Sequence, residues 1–169
     1  MKTLCLLCAF CLFVVSCAGY HVGPRKPSSL TNIETISVSV FENDTLHPRL
    51  GAMASSAVAS AMTVDGTYRI VSSDQADAVL EGAVRRIQYD RIRSSRFDTL
   101  RPEEIENRIT LAWVLRDARD PTKVLASGIS SGESQLFVAS NLQTARQSAL
   151  PEATERAGEA LVSVLTNGY

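Results

Sequence analysis

The chain has 169 residues, enough for one domain of ordinary size and too few for two. Its 45% hydrophobic and 21% charged content is that of a globular protein, and a formal net charge of −1 excludes the strongly basic balance of a dedicated nucleic-acid binder. All four cysteines (Cys5, Cys8, Cys11 and Cys17) precede Ala18, so the body of the chain can build neither a disulfide framework nor a cysteine-based zinc site.

Lys2 supplies a positive start, and residues 4–15 form an uninterrupted apolar run of 12. That length suits the core of an export signal, about 7–15 residues, and falls short of the roughly 20 needed to span a bilayer. The run ends at Val14-Val15-Ser16-Cys17, which resembles a bacterial lipobox. Small Ser16 leaves the scissile bond accessible, Val14 replaces the more usual Leu, and the Cys17 thiol is the nucleophile that takes the lipid. The expectation is a signal peptide over 1–16, a lipidated Cys17 opening a tether over 17–32, and one domain over 33–169. The alternative is an ordinary secreted protein cut near Ala18 or Gly19. Acylated lipoproteins of this kind carry several chains, palmitate among them, and two lipid signals already anchor stably. In the sorting pathway this resembles, Asp after the Cys retains a protein in the inner membrane, so Ala18 points to the outer membrane. Without its signal the chain keeps 16 of its 17 basic residues, Lys2 being lost, against 18 acidic ones.

Residues 18–32 hold Gly19, Gly23, Pro24, Pro27, Ser28 and Ser29, the composition of a flexible linker. Over 33–41, Ile36, Val38 and Val40 alternate with Ser37 and Ser39, which predicts a strand. Leu46, Leu50, Met53, Ala57, Val58, Ala61 and Met62 recur at helical spacing, and Pro48 fits a first turn, which predicts a helix over 48–63. Asp65-Gly66 marks a turn before a short strand over 68–72, and strand–helix–strand implies a parallel crossover. Residues 78–89 predict a third strand, with a bulge where Arg85-Arg86 breaks the alternation. Residues 107–117 alternate cleanly, Ile109, Leu111, Trp113 and Leu115 against Arg108, Thr110 and Arg116. Asp120-Pro121 turns the chain, and 124–133 returns as the hairpin partner. A last helix spans 142–166, started or kinked by Pro151 and closed by Asn167-Gly168. The order predicts an α+β two-layer sandwich: a mixed sheet of about four strands with two helices packed on one face. One-sided alternation leaves the other sheet face to solvent or a partner.

Motifs for catalysis are missing from the sequence. His21 and His47 have no Cys, His or carboxylate at ligand spacing, so no metal or other cofactor is implied. No nucleophile elbow or phosphate loop is present, and Asp74 and Asp77 fit a turn-capping role better than paired acids. One cluster remains. Arg85, Arg86, Arg91, Arg93 and Arg96 face Asp90 alone, with Tyr89 and Phe97 interleaved, and acids gather only further on at Asp98, Glu103, Glu104 and Glu106. The planar guanidinium fork suits phosphate and carboxylate ligands, and an anionic lipid headgroup fits both the charge and the envelope location. The bland reading of the same residues is a solvated strand end and loop that protects a sheet edge.

The residues Cys17-Ala-Gly-Tyr-His-Val22, then Ile36-Ser-Val-Ser-Val-Phe41-Glu-Asn43 with Thr45, then Tyr68-Arg-Ile-Val-Ser72 and Ala76-Asp-Ala-Val-Leu-Glu-Gly82, resemble the LPS-assembly lipoprotein family, LptE. The inserted Ala18 and the Ala/Ser-rich first helix depart from the family pattern. The resemblance implies a non-catalytic outer-membrane lipoprotein that plugs a large β-barrel partner, LptD, and helps deliver lipopolysaccharide to the outer leaflet. Lipopolysaccharide and the membrane are then its partners, and the arginines Arg85, Arg86, Arg91, Arg93 and Arg96 the charge-based binding candidates. The strand–Phe–x–Asn–x–Thr–helix pattern also resembles periplasmic domains of the TolB type and curli-export lipoproteins, so a subunit of another envelope or secretion complex is the alternative.

Overall fold

A computed structural model describes residues 26–94, 102–137 and 142–168; the expected signal, Cys17, the tether as far as residue 25, and Arg96 lie outside them. After a single 3-10 turn at Ser28–Leu30, the elements are β1 (Thr35–Val38), β2 (Glu42–Asn43), α1 (Leu50–Asp65), β3 (Arg69–Ile70), β4 (Ala78–Ser94), β5 (Pro102–Asp117), β6 (Val124–Phe137) and α2 (Leu142–Asn167). β1 lies between β3 and β4 and runs parallel to both, as the β1–α1–β3 crossover requires. β4, β5 and β6 form an antiparallel meander, and β2 adds to β4 through Glu42 opposite Ala83. The fold is the expected α+β arrangement of a mixed sheet and two helices, but with six strand segments rather than about four, five of them in the order β3-β1-β4-β5-β6.

Periodicity explains the layers. In β5, Ile109, Leu111, Trp113 and Leu115 are buried, while Arg108, Thr110 and Arg116 stay half-exposed on the opposite face. In α1, Leu50, Ala54, Val58 and Met62 recur every four residues and enter the core. Leu161 and Leu165 of α2 complete it, and burying each such side chain stabilises by about 1.5–3 kcal/mol. The inner positions of β6 are small (Gly128, Ser130, Gly132 and Ser134), which lets α2 approach closely. A side chain at Gly132 would collide with the α2 backbone at Ala153 and Ala157. Beside it, Trp113 lies against Gly128 and donates its indole N–H to Ser130 Oγ at 3.1 Å.

Three departures from the sequence expectation share local causes. The first strand ends at Val38 because the alternation slips: Val40 is 76% exposed and Phe41 3%. The Phe41 N–H leaves the ladder and donates to Ser55 Oγ of α1 at 2.7 Å. Helix α1 starts at Leu50 rather than at Pro48, because Asn43 folds the preceding loop on itself. Its side chain accepts from the Thr45 N–H and hydroxyl and donates to the His47 carbonyl, and Arg49 turns left-handed at φ 67°. Leu46 is therefore outside the helix and fully exposed. Finally, β4 and β6 run beyond residues 89 and 133, to Ser94 and Phe137, because polar residues that read as loop pair across the sheet, such as Arg93 opposite Glu104. The expected bulge is present, as a register shift between Val84 and Arg86. Gly168 (φ 76°) closes α2 as expected, and Gly66 (φ 73°), expected as part of a turn, closes α1, which runs to Asp65 rather than to residue 63.

Candidate ligand-binding surfaces

The outer sheet face carries the charged side chains. Arg116 pairs with Glu81 at 3.0 Å, and Arg108 with Glu133 at 2.7 Å and Glu106 at 3.1 Å, so the β5 arginines are neutralised within the face. Arg85 is the extra residue of the bulge and pairs with Asp44 at 2.7 Å, both side chains remaining exposed. Arg86, opposite Thr110, is exposed and forms no ion pair among the described residues. Arg91 and Arg93 lie in the last turns of pairing of β4, opposite Ile105 and Glu104. The structure thus separates the five candidate arginines: Arg85 is occupied by Asp44, Arg86 is available, Arg91 and Arg93 sit at the far end of the β4–β5 hairpin, and Arg96 falls outside the described residues.

At that same end, the inner face holds a polar cluster that sequence patterning did not single out. Tyr89, Asn107 and Ser134 form one row across β4, β5 and β6. Ser134 donates to the Ala149 carbonyl of α2 at 2.8 Å. The Arg146 guanidinium lies 4.7 Å from the Tyr89 ring centroid, a cation–π contact. The Tyr89 hydroxyl is 3.3 Å from His47 Nε2, and burial pushes its pKa up, with Arg146 opposing. Asn107 interrupts an otherwise apolar alternation, which was the available signal. Arg146 and His47 carried none, because only the tertiary fold joins them to Tyr89.

Among the described residues no group of three potential metal ligands occurs, and no helix is long and apolar enough to cross a membrane. Asp74 and Asp77 do not form a pair of acids. Asp77 bonds Thr35 and Glu34, and Asp74 is held low by the Ser72 side chain. Two helices on one face of a mixed sheet, with a charge-bearing face opposite, define a two-layer α+β domain. The family model for lipopolysaccharide-assembly LptE matches residues 33–165, and the chain belongs to that family. No curated protein matches the sequence. Among solved structures, a hypothetical protein from Chlamydia trachomatis is similar with a TM-score of 0.55 at 9% identity, covering 81% of this chain and 99% of its own. A protein from Xanthomonas campestris gives a TM-score of 0.54 at 16% identity, over 77% and 81%. A minor lipoprotein from Acinetobacter baumannii gives 0.51 at 12% identity, over 80% and 94%. These likenesses are of fold.

Proposed function

We propose that the protein is a non-catalytic lipoprotein, anchored in the outer membrane through acylated Cys17, that sits inside a large LptD-like β-barrel and assists delivery of lipopolysaccharide to the outer leaflet. The observation that carries this reading is the LptE family match across residues 33–165, nearly the whole of the described domain. The arginine-bearing end of the β4–β5 hairpin supports it, since guanidinium groups suit the phosphates of a lipopolysaccharide headgroup. Ala18 after the lipidated cysteine supports the outer membrane as destination.

The test is co-purification of the tagged full chain from detergent-extracted membranes. A large β-barrel should come down with it, mass spectrometry should find Cys17 as the acylated first residue, and depletion should lower surface lipopolysaccharide. An extract with no barrel, together with unchanged surface lipopolysaccharide, overturns the reading. A ring of this chain alone, seen by mass photometry, assigns it instead to another envelope complex.

A further inference from the structure

The row beneath the first turns of α2 leaves polar atoms unpaired. Asn107 is 0% exposed, and neither its Oδ1 nor its Nδ2 has a hydrogen-bond partner. Arg146 Nε is likewise buried without a partner, and Arg146 makes no ion pair among the described residues. A buried, unsatisfied polar group is destabilising, a cost that an apolar side chain of the same size would avoid. Directly across the strand pair from Asn107 is half-buried Tyr89, with the half-buried Arg146 guanidinium over its ring and half-buried His47 at 3.3 Å from its hydroxyl. Arginine, amide, hydroxyl and imidazole together offer charge-assisted and neutral donors of the kind that hold a phosphate oxygen.

The first turns of α2 roof this row. Pro151 lies inside α2 and lacks the N–H that would bond the Gln147 carbonyl, so the preceding segment is weakly coupled to the rest of the helix. The segment is tied to the rest of the domain by Ser134 on the Ala149 carbonyl, by Arg146 on Tyr89 and by the buried Ala149 and Leu150 side chains. We propose that His47, Tyr89, Asn107 and Arg146 form a binding site for a phosphate ester, with Asn107 as its floor. The site deepens the function proposed above where the ester belongs to a lipopolysaccharide headgroup; a soluble sugar phosphate carries the same chemistry.

The experiment uses the full chain in detergent, with lipopolysaccharide, the same lipopolysaccharide after enzymatic dephosphorylation, and glucosamine 1-phosphate as probes. Arg146→Gln and Asn107→Leu should each weaken lipopolysaccharide binding at least tenfold, and dephosphorylation should do the same to the unaltered chain. Asn107→Leu should also raise the Tm, because it removes the unpaired amide. Glucosamine 1-phosphate bound with the same sensitivity to both variants shows that the ester alone suffices; binding of lipopolysaccharide only assigns the site to the lipid headgroup. Binding untouched by either variant overturns the site whatever dephosphorylation does, since the outer arginines of β4 also suit phosphate, and a lowered Tm for Asn107→Leu with unchanged binding marks a structural amide. Barrel co-purification is scored in parallel. A barrel retained without variant-sensitive binding rejects the site alone, and variant-sensitive binding without a barrel rejects only the transport reading.

Discussion

Asp77 Oδ2 accepts from Thr35 Oγ1 at 2.8 Å and from the N–H groups of Thr35 and Glu34 at 3.0 and 3.1 Å, pinning the start of β1 to the start of β4. The Thr35 hydroxyl first, then the two N–H groups, hold its carboxyl below the usual carboxylate range. A folded-state pKa below the unfolded one gives stability that is present at neutral pH and is lost as pH falls through the folded value. Asp77→Ala should cost about 1–3 kcal/mol at pH 7 and Asp77→Asn should flatten acid unfolding, both read by denaturant titration from pH 2 to 7. Tyr68 acts at the other extreme. Its hydroxyl donates to the Leu165 carbonyl near the end of α2 at 2.9 Å, and burial, then the Asp65 charge, push its pKa up to about 12. The native state resists losing that proton, so stability should fall between about pH 10 and 12 by on the order of 2 kcal/mol, a slope absent in Tyr68→Phe.

At the scale of elements, α2 stands or falls with the small inner face of β6. Gly132→Leu drives a side chain into the α2 backbone at Ala153 and Ala157. Relief requires the helix to lift from Ser130, Ser134 and Trp113, so the cost should reach about 2–4 kcal/mol, near the upper range of overpacking, with protection of α2 amides from hydrogen exchange falling before that of β4. The helices and residues 109–115 of β5 were legible because their apolar periods are long, and the Arg85-Arg86 bulge because it breaks one. What was not legible lies where tertiary contact overrides pattern. Phe41 turns inward because Ser55 captures its N–H, and the charged ends of β4 and β5 extend because they pair with each other. The polar row at Asn107 was half-visible, since Asn interrupts the β5 alternation but its neighbours Arg146 and His47 come from distant segments.

Across the whole molecule, the hydrophobic core and the charged surfaces occupy different places. The core is centred where α1 and α2 cross β1, β4 and β5, among Ile36, Val58, Leu80, Leu111 and Leu161. The candidate arginines follow the bulge along β4, away from Leu80, on a hairpin whose outer side chains are mostly ion-paired. That division makes charge and stability separable. Arg86 is exposed and without an ion pair among the described residues, so Arg86→Glu should leave unfolding free energy within about 0.5 kcal/mol. Arg85→Glu also loses the exposed pair to Asp44, worth about 0.2–1 kcal/mol. Lipopolysaccharide affinity should drop progressively in Arg86→Glu, then with Arg91→Glu and Arg93→Glu added, and the drop should shrink as salt rises, since exposed charges are screened. Equal affinity across the series, measured beside unchanged denaturant midpoints, returns these arginines to the role of protecting a sheet end.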